Sequence, residues 1–87
     1  MGPQRRRGEV QILTDLLTLS LNGTKATHLM YKANLSYSTL RRYLSSALDK
    51  GLISNVRGSD GSVVYRTTEK GKLLLIKLRE VKSALRG

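Results

Sequence analysis

The sequence predicts an α+β fold, mainly α, of three helices, a two-stranded hairpin and a long final helix. Three observations carry that expectation. "MYKANLSYSTLRRYL" at 30–44 reads as a helix end, a three-residue corner and a new helix; "RGSDGS" at 57–62 separates two short strand-like runs; and "TEKGKLLLIKLREVKSALR" at 68–86 keeps helical periodicity throughout.

Residues 1–7, "MGPQRRR", have no apolar periodicity and three consecutive arginines, and are expected to form a basic flexible arm. Such an arm can follow phosphates, enter a minor groove or simply be solvated. From 9 to 21, "EVQILTDLLTLSL" puts Val10, Leu13, Leu16, Leu17 and Leu21 on one helical face at about 100° per residue. Ile12 and Leu19 fall outside that stripe, so this helix is expected either to lie centrally or to meet another subunit through them.

After "NG", residues 24–33 form a short second helix with Leu29, Met30 and Ala33 inward. Asn34 tolerates the left-handed conformation that ends a helix, and Ser36 is a good N-cap for the next one. Leu35 and Leu40 occupy the positions of a hydrophobic staple. The third helix is expected over about 36–50, stopped by Gly51. "LISNV" and "VVYRT" then supply the strands around "RGSDGS". Thr68 caps the final helix, with Glu69 in the first turn. Helix, corner, helix and hairpin in this order make a winged helix-turn-helix over 8–67, followed by a C-terminal helix over 68–87.

Composition bounds the chemistry. An 87-residue chain with 39% hydrophobic residues forms one small domain with a thin core. Sixteen Lys plus Arg against six Asp plus Glu give a net charge of +10, which favours a polyanionic partner, nucleic acid or an anionic membrane surface. No run approaches the roughly 20 apolar residues of a membrane span, and no signal peptide is evident, so a soluble, cytoplasmic chain is expected. Cysteine is absent, and the lone His28 cannot build a zinc site. No metal, cofactor or small-molecule ligand is expected. Nor is an enzyme, since no nucleophile, base or phosphate-cradling glycine motif can be assembled.

Together, "MYKANLSYSTLRRYLSSALDKGLI" and "YRTTEKGKLLL" resemble the small archaeal winged-helix DNA-binding proteins, a group of transcription regulators and chromatin-associated proteins. The resemblance covers about residues 8–78. It implies double-stranded DNA as partner, location at the nucleoid, and dimerisation through the last helix.

With Leu40 at 0°, Leu44 and Ala47 lie within about 40° and Tyr43 about 60° away, forming a core stripe. Ser38 and Arg42 project opposite, Ser45 lies between that direction and Arg41, and Tyr37 stands near the helix start, where a recognition helix meets bases and phosphates. Arginine can bind guanine through paired hydrogen bonds, and hydroxyls suit phosphate oxygens. Thr24 and Lys25 are expected at phosphates beside the second helix's N-terminus, and Arg57 and Arg66 bracket the wing. Read without DNA, the same residues form an ordinary solvated polar face.

Leu74, Leu78, Val81 and Leu85 continue a stripe at heptad spacing. With Ile12 and Leu19 they predict a homodimer; the alternative folds the last helix back over the first. A general chromatin-associated architectural binder, or a winged-helix module for protein or RNA, is the alternative to a transcription regulator.

Overall fold

The computed structural model describes residues 8–86, so the expected arm at 1–7 lies outside the described residues. The order is α1 (Glu9–Leu19), α2 (Ala26–Ala33), α3 (Tyr37–Asp49), β1 (Ile53–Arg57), β2 (Val63–Thr67) and α4 (Glu69–Arg86). This is a winged helix with a long C-terminal helix.

The corner between α2 and α3 is built by local chemistry. Asn34 takes φ 56° and ψ 53°, the left-handed pair that asparagine accepts at small steric cost. Two residues later the Ser36 hydroxyl accepts from the Thr39 amide at 3.2 Å, satisfying one of the free amides of the new helix. Leu35 packs against the core cluster to which the buried Leu40 belongs, as the staple positions require. At its far end α3 stops before Gly51, whose φ of 73° turns the chain into β1.

The strands pair antiparallel, Ile53 with Thr67, Asn55 with Tyr65 and Arg57 with Val63. Beyond β2 the sheet gains one more bridge. Thr24 donates its amide to the Tyr65 carbonyl at 2.9 Å and accepts from the Tyr65 amide at 2.8 Å. The segment entering α2 is thereby stitched to the wing, and α2 begins two residues later than the periodicity predicts because Thr24 is extended.

Buried α1 lies at the centre. The adjacent Leu16 and Leu17, about 100° apart on the helix, are both fully buried, so cover comes from more than one side. α2 and β2 supply part of it and α4 the rest. Ile12, expected at a subunit interface, is 8% exposed and belongs to this core. Leu19 is partly buried against it. The apolar stripe drawn from sequence was rotated too far: Val10, expected inward, is 46% exposed, while Thr14 is buried. Thr14 tolerates burial because its hydroxyl donates to the Val10 carbonyl at 2.6 Å.

α4 is clamped at its start. Thr68 caps it, its hydroxyl accepting from the Gly71 amide at 3.0 Å and donating to the Gly51 carbonyl at 2.6 Å. Gly71 lies directly on β1's entry: a Cβ there would stand 2.1 Å from the Leu52 carbonyl oxygen and 2.7 Å from Thr67 Cγ2. Leu75 is buried in the common core, and Leu74 and Leu78 pack against it. The proposed dimer stripe is therefore half occupied within the chain, since α4 leans on α1 along its length. Only its distal part, Val81 and Leu85, is exposed. Leu73 and Ile76, in the opening turns of α4, face outward at 63% and 53% exposure.

Candidate nucleic-acid interface

Burial of Leu40, Leu44 and Ala47 fixes the rotation of α3. Ser38, Arg42 and Ser45 lie about 140–160° from Leu40 and are exposed, as that rotation requires. Asp49 continues the same line at the helix end and is exposed too. No apolar side chain interrupts these four positions.

Arg41 stands beside this line and Arg42 on it, and their guanidinium ends part to opposite sides. The Arg41 guanidinium donates to the Tyr37 hydroxyl at 3.1 Å and sits 5.7 Å from that ring's centroid. With Ser45, Leu48 and Tyr65 it borders a cleft between α3 and β2. Arg42 lies 5.2 Å from the Tyr43 ring and shares a second cleft with Glu9 and Ser46, on the α1 side. Tyr37 itself is 60% exposed, its phenol turned to solvent at the start of the helix.

The two wing arginines are separated by strand alternation. Ile53, Asn55 and Arg57 project to one face, and the buried Ile53 and Thr67 show that this face turns to the body of the domain. Arg57 donates to the Gly61 carbonyl at 3.0 Å, bracing the loop. Arg66, paired with Ser54, projects from the other face, and its guanidinium lies over Gly23. Sequence position puts both at the wing; the pleat puts Arg57 on the face that turns to the body of the domain and Arg66 on the opposite one.

Thr24 and Lys25 do not act alike. The Thr24 amide is bonded to the Tyr65 carbonyl and is not one of the open amides of the helix N-terminus. Lys25 is the N-cap residue of α2, exposed, with its ammonium 3.5 Å from the Asp60 carboxylate at the wing tip. The first amides of α2, at residues 26–28, precede its first helical bond, Leu29 to Lys25, and so have no partner within the helix.

Asp60 joins this site although its place in a hairpin loop gives no sign of it in the sequence. Its Oδ1 accepts from the Ser62 hydroxyl at 2.6 Å and the Ser62 amide at 3.0 Å, the side-chain-to-backbone turn that "SDGS" permits. Those two bonds, with the Lys25 charge, lower its pKa from 3.8 to about 2. Gly61, at φ 87°, supplies the conformation the loop needs.

No group of three or more His, Cys, Asp or Glu among the described residues could hold a metal ion, and no described helix is long and apolar enough to cross a membrane.

Comparison with known proteins bears on this surface. The sequence profile of the winged helix-turn-helix family matches residues 6–86. An uncharacterized protein of Methanocaldococcus jannaschii is 40% identical over 80 residues, covering 91% of this chain. The chain spans 36% of that protein's length. Among solved structures, Sso10a-2, a DNA-binding protein from Sulfolobus solfataricus, superposes with TM-score 0.83 at 28% identity, over 92% of this chain and 83% of its own. The transcriptional regulator BldR of the same organism superposes with TM-score 0.80 at 20% identity, over 86% of this chain and 56% of its own, a likeness of fold.

Proposed function

Because the chain belongs to the winged helix-turn-helix family, we propose that it is a non-catalytic double-stranded DNA-binding protein that regulates transcription at the nucleoid. The observation that carries this reading is the outer face of α3. Ser38, Arg42 and Ser45 form an open polar line, with Arg41 and Tyr37 beside it and the wing adjoining. Such a helix fits the major groove, and the net charge of +10 suits a phosphate lattice.

In this arrangement Arg42 reads base edges, Tyr37, Ser38, Arg41 and Ser45 meet bases or phosphates, and Lys25 and Arg57 hold the flanking backbone. The Thr24 hydroxyl and Arg66 stand at the margins. A homodimer joined through the distal stripe of α4 would present two such helices to one duplex, and the exposure of Val81 and Leu85 supports it.

A titration of duplex DNA across salt tests the reading. Affinity should fall by orders of magnitude between about 50 and 200 mM salt if roughly six or more phosphates are contacted. Salt-insensitive binding, or preference for folded RNA, would defeat it. Selecting random genomic fragments with the protein then separates regulator from general chromatin binder: an enriched motif marks the regulator.

A further inference from the structure

Lys25 stands where a phosphate contact is wanted, yet its ammonium already faces an anion. The Asp60 carboxylate comes from the wing tip, 35 residues away, and lies 3.5 Å from Lys25 Nζ. Its position is set independently of Lys25. Oδ1 is held by the Ser62 amide and hydroxyl, leaving Oδ2 for the ammonium. The two side chains remain 46% and 64% exposed, so the pair is open to solvent and to exchange. Directly after Lys25 come the first-turn amides of α2, which have no partner within the helix, a favourable seat for a backbone phosphate.

We propose that Asp60 is a built-in competitor for phosphate. Its carboxylate takes, on Lys25, the place a DNA phosphate would take, and a duplex must break the Lys25–Asp60 pair to gain that contact. This rests on the reading of the chain as a duplex-binding protein. Because the opposition is electrostatic, it weakens binding to every sequence alike. Specific contacts from α3 then carry a larger share of the remaining affinity. The anchoring by Ser62 matters here: a carboxylate free to swing away would cost the incoming phosphate little, whereas one fixed in the turn stays beside Lys25 as the duplex approaches.

The test is a set of anisotropy titrations on a random-sequence duplex from about 50 to 200 mM salt, with thermal melting of each variant alongside. Asp60→Asn retains an acceptor for the Ser62 amide and removes the charge. It should bind roughly three- to tenfold tighter at about 50 mM salt, the scale of one unit charge removed at close range in water. Its log–log salt dependence should steepen by about 1, as for one additional phosphate contact. Most of the gain should vanish when Lys25→Gln is added, and Ser62→Ala, which removes the hydroxyl anchor but keeps the amide bond and the charge, should give a smaller gain in the same direction.

The competitor is overturned if Asp60→Asn melts like the unaltered protein and binds no tighter, if the gain persists in full without Lys25, or if Ser62→Ala gives no gain at all. An unaltered protein that fails to bind duplex at all overturns the functional reading itself, and the competitor with it.

Discussion

Arg41 and Tyr37, one helical turn apart, are joined twice: the guanidinium donates to the phenol oxygen at 3.1 Å and lies 5.7 Å from the ring centroid. The pair holds a long cationic side chain in one pose at the mouth of the α3–wing cleft. Tyr37→Phe keeps the ring and deletes the acceptor, and should weaken DNA binding by about 0.5–1.5 kcal/mol, the net worth of such a bond. Arg41→Lys should weaken it at least as much, because an ammonium lacks the flat fork that both stacks and donates. Titrations at fixed salt check both; unchanged affinity in the two variants takes the pair out of the interface.

The divergence of the basic residues predicts a division of labour. Arg42→Ala should lower discrimination between a preferred site and random duplex by about 1–3 kcal/mol, as expected for loss of a guanine contact. Arg57→Ala should weaken all duplexes alike. Arg66→Ala should have the smaller effect of the two wing changes, since strand alternation turns its side chain away from α3. A uniform loss in the Arg42 variant would reduce that residue to a phosphate contact.

Gly71 is the position where the backbone has least room. Alanine is ordinarily better than glycine in a helix by about 1 kcal/mol. Here its methyl would collide with the Leu52 carbonyl oxygen at 2.1 Å, backbone that cannot move without parting α4 from β1. Gly71→Ala should therefore destabilise by about 1–3 kcal/mol, the usual cost of overpacking, and lower the melting temperature by roughly 4–8 °C for each kcal/mol. A neutral or stabilising substitution contradicts the packing described.

Asp60 predicts a pH signature. Its pKa in the folded chain, about 2, lies below the ordinary 3.8, so the charged carboxylate is favoured by folding. That contribution is complete above the unfolded value and is lost as pH falls through the folded one. The Ser62 amide, followed by NMR, should titrate near pH 2 and stay flat from pH 4 upward. A midpoint at 4 means that the Ser62 bonds do not hold the carboxylate in solution.

Core and subunit contact can be separated on α1 and α4. Ile12→Ala should cost about 2–5 kcal/mol of stability by denaturant titration, as for a buried aliphatic side chain. Glutamate at both Val81 and Leu85 should leave folding intact and abolish the proposed dimer, measured by sedimentation at tens of micromolar. It should also weaken binding to paired half-sites about 34 Å apart. A monomeric unaltered protein, with and without DNA, removes the dimer.

Much of the architecture was legible because its signals are local. Asn34, Ser36, Gly51 and Thr68 act on amides and carbonyls within a few residues, or through their own φ, and each is found in the role its chemistry suggests. Placement of apolar faces was less legible. α1 is covered from several directions, so no single stripe describes it; Ile12 goes inward with Leu16 and Leu17, and Thr14 enters through a bond to its own helix. On α4, four consecutive apolar residues said nothing about which would find a neighbour. Leu75 does, while Leu73 and Ile76 do not, because the choice depends on how α4 crosses the hairpin base. At the interface, the outer face of α3 follows from its core stripe. The Lys25–Asp60 pair spans 35 residues, and the bridge from Thr24 to Tyr65 spans more, beyond the reach of any periodicity.

That bridge also bears on timing. Two hydrogen bonds of 2.9 and 2.8 Å tie the approach to α2 to the middle of β2. The hairpin's base is thus ordered by folding, together with the helices it flanks. Its loss of conformational freedom falls on the folding reaction, and an incoming duplex meets a surface whose parts already hold their relative positions. Encounter should accordingly be governed by diffusion and electrostatic steering, with a single kinetic phase and an association rate that falls as salt rises.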